Sequence, residues 1–173
     1  MVFLACVIPQ AMPQFANAKR AYERWIQEFR CVYRNNRSCW AFSSIAAIEG
    51  ILQIKTHKLV EFSRQELVDC DALSSGCTTG RVAYTFQYVM KNGVRAGKNY
   101  VYKGQAGKCD DKGKTRSAKI KGYPKVGDGK HNLLQVLAQQ PITLGLLFWQ
   151  SFKSYKSGIF GNLPIKETMD ISH

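Results

Sequence analysis

Acidic residues are scarce in this chain: 12 Asp and Glu stand against 25 Lys and Arg, a formal net charge of +13 over 173 residues. The cations are spread out, with no run of five like charges, so there is no charged tail. With no basic helix and no RNA-binding signature, the excess reads as a basic surface, and no nucleic-acid partner is expected. No pair of cysteines has CxxC spacing, which argues against a structural zinc; neither metal nor cofactor is expected. No segment is long and apolar enough to cross a bilayer, so no membrane partner is expected either. Repeats and low-complexity tracts are absent.

What remains is globular. The apolar fraction of 45% is enough for a core, in one domain or in two small ones sharing a cleft. Six cysteines suggest a disulfide framework formed in an oxidising compartment. Residues 1–8 are apolar and precede Pro9, like a short secretory h-region without a basic flank. We read residues 1–16 as a signal-peptide-like segment and expect the secretory pathway, ending outside the cell or in a lysosome or vacuole.

One stretch organises the chain: Ser38-Cys39-Trp40-Ala41-Phe42-Ser43-Ser44, then Glu49-Gly50. Phe42, Ile45, Ile48 and Leu52 recur at helical spacing, which predicts a helix from Cys39 to about Lys55, with Ser38 as its N-cap. Cys39 then sits in the first turn, where free N–H groups and the helix dipole favour a thiolate and so a nucleophile. On spacing alone, a buried or bridged cysteine is the more common outcome.

Other elements follow in order. Tyr22, Trp25, Ile26 and Phe29 mark one face of a helix within residues 17–33. Ser63 with Glu66 is a capping box that starts a second short helix. Residues 82–92 read as a helix stopped by Gly93, and 131–139 as another stopped before Pro141. Residues 118–126 and 142–148 read as strands.

Ser38-Cys39-Trp40-Ala41-Phe42-Ser43 with Glu49-Gly50 resembles the active-site helix of the papain-like cysteine peptidases, although Asn36 and Arg37 stand where that family has Cys and Gly. Tyr22-Glu23-Arg24-Trp25 and Val32-Tyr33-Arg34-Asn35-Asn36 resemble the first helix of the family's inhibitory propeptide. The segment between that helix and the nucleophile helix is missing here. Gly76-Cys77-Thr78-Thr79-Gly80 resembles the family's Gly-Cys-Asn-Gly-Gly loop, and Tyr155 to Phe160 its Tyr-x-x-Gly-Ile-Phe segment.

The resemblance implies an α+β, papain-like fold. A helical subdomain carrying the nucleophile (residues 37–117) would pack on an incomplete β-barrel-like subdomain (118–173), after a propeptide-like remnant (17–36). It implies a monomeric endopeptidase that cuts polypeptides through a thioester and meets proteinaceous cysteine-peptidase inhibitors. Cys39 is then the nucleophile. His173 is the intended base, since it follows Cys39 at the family's separation of about 130–150 residues. His57 and His131 read instead as solvent-facing residues at helix ends. The oxyanion would meet the Cys39 backbone N–H and, where the family has a glutamine, Tyr33. Gly80 would pair with the peptide backbone, while Arg81, Val82 and Gly145 would form part of the specificity pocket. A Cys70–Cys109 disulfide is implied, and Cys77 loses its usual partner, leaving Cys31 or a thiol as alternatives. The family's orienting Asn and its Asn-Ser-Trp motif would lie beyond residue 173. Asn36-Arg37-Ser38 is an N-glycosylation sequon. The rival readings are a non-catalytic relative and an inhibitor built on residues 17–33.

Overall fold

A computed structural model describes residues 2–6 (backbone only), 37–110 and 115–146. Strand β1 is Val2–Cys6, helix α1 Cys39–Thr56, α2 Arg64–Cys70, α3 Val82–Asn92, α4 Lys130–Leu137 and strand β2 Ile142–Leu146. A 3-10 turn, Gly97–Asn99, lies between α3 and α4.

Helix α1 is the core. Trp40, Ala41 and Ile45 are fully buried, Phe42 and Ile48 nearly so, and its polar Ser43, Ser44, Glu49 and Gln53 are buried as well. The expected one-sided helix is therefore wrapped on most of its circumference, as a central helix must be. It ends at His57, exposed and left-handed at φ 57°, whose N–H bonds the Gln53 carbonyl. Leu67 and Val68 of α2, Val82 and Val89 of α3, and Phe62 and Val94 from the connections complete the cluster.

The capping box is half kept. Ser63 Oγ accepts from the Glu66 N–H at 2.9 Å, as expected. The Glu66 carboxylate does not reach back. It accepts from the Arg95 N–H at 2.8 Å and from the Tyr88 hydroxyl at 3.1 Å, and pairs with the Arg95 guanidinium at 3.3 Å and with Arg116. Glu66 and Arg95 are both fully buried. A carboxylate so placed needs all of these donors, because an uncompensated buried charge is costly. Burial also lowers the Arg116 pKa.

A second polar staple holds the chain that follows α3. Asp69 accepts from the Tyr100 hydroxyl at 2.8 Å, from Gln65 Nε2 at 2.8 Å and from the Gly107 N–H at 2.7 Å. Burial pushes the Tyr100 hydroxyl pKa up, and the Asp69 carboxylate adds to the rise. Beside this staple the implied disulfide is present, joining Cys70 at the end of α2 to Cys109 across 39 residues.

Beyond residue 115 the fold thins. Residues 118–126 do not form the expected strand; Ala118 makes a single bridge to Val94 and the rest has no regular partner. An alternating pattern marks a strand only where a neighbouring strand completes the ladder, and none among the described residues does so here. Helix α4 buries no side chain. Strand β2 pairs antiparallel with β1, from Val2 opposite Leu146 to Cys6 opposite Ile142, and β1 also lies against α1. The apolar start, which reads as an h-region, is in this structure a strand; a short apolar run fits either role by pattern alone. The helix expected at 17–33 and the segment 152–160 lie outside the described residues.

Candidate active site

Cys39 is the first residue of α1 and is half-buried. Ser38 occupies the N-cap position, but its side chain makes no cap hydrogen bond. Its carbonyl accepts from the Ala41 and Phe42 N–H groups, at 2.9 and 3.3 Å. Its hydroxyl, fully buried, lies 2.9 Å from the Tyr102 hydroxyl. The N-cap prediction thus holds for position and not for the bond. A capping hydroxyl would take an N–H of the first turn; here it is held elsewhere. Cys39 itself stands in the first turn, at the positive end of the helix dipole.

Trp40, directly after Cys39, fixes the facing loop. Its Nε1–H donates to the Gly76 carbonyl at 3.1 Å, in a buried bond. The loop is a turn in which the Ser75 N–H reaches the Thr79 carbonyl at 2.8 Å and the Thr78 N–H the Ser75 carbonyl at 2.9 Å. The Arg37 N–H donates to the Cys77 carbonyl at 2.9 Å, closing the loop against the approach to α1. Gly80 sits on the Trp40 indole: a Cβ there would come within 2.4 Å of the ring. The residue must be glycine for the loop to lie on the helix at all. Gly76, at φ +54°, is the other position that a side chain would strain.

The structure therefore seats Gly80, with Arg81 next in the chain, on Trp40, the residue that follows Cys39, though the two segments are far apart in sequence. Arg81 is exposed at the N-cap of α3, with its guanidinium 5.8 Å from the Tyr84 ring centroid. Val82 lines a cavity of about 160 Å³ together with Ile48, Ala83, Phe86 and Ile142. That cavity joins α3 to the start of β2, the strand that carries buried Gly145 opposite Phe3. His57 and His131 are exposed at helix ends, as expected. Tyr33, Cys31 and His173 lie outside the described residues. Among the described residues, no group of three His, Cys, Asp or Glu is placed to hold a metal ion, and no helix is long and apolar enough to cross a membrane.

Sequence reasoning missed Tyr102, which holds Ser38 and meets the Phe42 ring edge-on at 5.0 Å between centroids. No local pattern signals a contact between positions 38 and 102. A hydroxyl buried beside an aromatic-rich loop is the one hint available.

Comparison with known proteins bears on the family and the fold. The family model described as "Papain family cysteine protease" matches residues 26–173. Caricain of Carica papaya is 43% identical over 126 residues, covering 71% of this chain and 36% of that protein. Vignain of Ricinus communis is 41% identical over 128 residues, covering 71% and 36%. The chain thus spans about a third of the length of these relatives. Among solved structures, the bromelain protease of Ananas comosus, in complex with the E64 inhibitor, superposes with a TM-score of 0.70 at 35% identity, covering 73% of this chain and 60% of that one. The Carica candamarcensis cysteine protease CMS1MS2, in complex with E-64, gives 0.59 at 38% identity, covering 62% and 51%.

Proposed function

Since this chain belongs to the papain family of cysteine proteases, with an α+β papain-like fold, we propose that it is built for cysteine-type endopeptidase chemistry on polypeptides. The observation that carries the reading is the placement of Cys39: it heads a buried helix, with the Ser38 hydroxyl turned to Tyr102 and the glycine loop seated on Trp40.

In this reading the Cys39 sulfur attacks a peptide carbonyl and forms a thioester. His173 gives its proton to the departing amine, and water then releases the acid. The Cys39 N–H and the Tyr33 hydroxyl face the developing oxyanion. Gly80 pairs with the substrate backbone, and Arg81, Val82 and Gly145 shape the pocket. The partners are polypeptide substrates and proteinaceous cysteine-peptidase inhibitors, met as a monomer. The compartment is the secretory pathway, lysosome or vacuole, which suits the disulfide between Cys70 and Cys109.

A second reading, a non-catalytic peptide-binding relative, is favoured by Arg37 and Thr79, which put exposed side chains where the family has glycine. Labelling with the epoxide E-64 separates the two. Stoichiometric mass addition at Cys39, absent from Cys39→Ser, is the result expected of the peptidase. Folded protein that stays unlabelled overturns it in favour of the non-catalytic reading.

A further inference from the structure

Two cations flank the loop that is seated on Trp40, next to Cys39, and no acidic residue stands on either segment. Arg37 is exposed two residues before Cys39, and its N–H is tied to the Cys77 carbonyl. Arg81 is exposed directly after Gly80, the residue seated on the Trp40 ring. The segments 37–41 and 75–84 together contain both arginines and no Asp or Glu. Buried carboxylates of the helical region are already committed. Glu49 is buried, accepting from the Phe62 N–H and lying 3.7 Å from Arg64, and Asp71 is buried, holding Ser74. Neither arginine has a described ion pair, whereas Arg64, Arg95 and Arg116 all do.

We infer that Arg37 and Arg81 select acidic peptides: an extended chain carrying Asp or Glu at the residues beside the one facing Cys39. A peptide laid along Gly80 has Arg81 as the next residue at one end of the loop and Arg37, tied to the Cys77 carbonyl, at the other. A carboxylate on it gains a charge-assisted, bidentate partner on a rim whose net charge is wholly positive. The wider excess of +13 favours the approach of such a chain but gives it no register. The two arginines supply the register, because each is fixed by its backbone to the loop or to the helix start.

The inference rests on the peptide-cleft reading, and the experiment separates the two. Fluorescein-labelled peptides differing only in Asp/Glu against Asn/Gln are titrated by anisotropy into the Cys39→Ser chain, so that nothing is turned over. At low ionic strength the acidic peptide should bind about tenfold tighter, and the margin should shrink as salt shortens the Debye length. Arg37→Gln with Arg81→Gln should abolish the margin, while Lys58→Gln with Lys91→Gln, exposed cations elsewhere, should keep it. Equal binding of acidic and amide peptides overturns the inference. So does an equal loss in the Lys58/Lys91 pair, which would assign the effect to net charge alone. If acidic preference is found while E-64 leaves Cys39 unlabelled, the inference stands and the peptidase reading falls.

Discussion

The chain from 37 to 110 and the chain from 115 to 146 are held by different means. In the first, α1, α2 and α3 are each anchored by fully buried groups, and even its charges are spent inside: Glu66 with Arg95, Glu49 with Arg64. In the second, α4 buries nothing, and the segment before it is mostly exposed. Its order comes through β2, paired to β1, through the bridge at Ala118 and through Arg116, which pairs with Glu66 of the first region. A two-stranded pair is marginal on its own and needs a packed face; here α1 lies beside β1. Cys39 thus stands on the tightly buried region, whereas the cavity wall contributed by Ile142 of β2 depends on the more exposed one.

The comparison breaks first at the buried ion cluster. Glu66→Gln removes the anion from between two arginines, one of them fully buried, and should cost about 3–5 kcal/mol in urea unfolding. A midpoint near that of the parent chain would mean that the cluster is not what anchors the helical region. Next, Gly80→Ala forces a Cβ onto the Trp40 ring; overpacking of this kind costs about 1–3 kcal/mol, and E-64 labelling of Cys39 should fall with it. Unchanged labelling would show that the loop can leave Trp40 without disturbing Cys39. Third, replacing Cys70 and Cys109 together by serine opens a 39-residue loop and should lower stability by about 2–4 kcal/mol.

Hydrogen exchange sharpens the contrast more gently. Amides of α1 and α2 should exchange only by global opening, and those of α4 and β2 by local opening. Equal protection in both would remove the distinction. The smallest effect is at Asp71, whose carboxyl burial pushes up in pKa against the opposing hydrogen bonds from Ser74 and the Leu73 N–H. A carboxyl with a raised folded-state pKa favours the fold while protonated. That contribution is whole below its unfolded value and is lost as pH rises through the folded one. Relative to the parent, Asp71→Asn should therefore gain stability between pH 3 and pH 7. A constant difference across that range would refute the burial argument.

Much of the helical region was legible in the order of residues. Ser63 three before Glu66 marks the start of α2, and Gly93, observed at φ +75°, marks the stop of α3. Caps and stops are contacts between near neighbours, so spacing alone reports them. The strand expected at 118–126 was not legible, because a ladder needs a partner from elsewhere in the chain. Glu66 misled for a related reason. Its local partner was correct, but a buried arginine 29 residues away and another 50 away claimed the carboxylate.

The order of residues was enough to put a cysteine at the start of an apolar helix and to mark the start of α2 and the stop of α3. Tertiary structure alone decided that Ser38 turns to Tyr102, that Gly80 must lie bare against Trp40, and that Arg37 and Arg81 flank the same loop. The reason is range. Propensity and capping act within a few residues, whereas a ring filling the space of a missing side chain, or a buried anion choosing among distant cations, exists only once the chain has closed on itself.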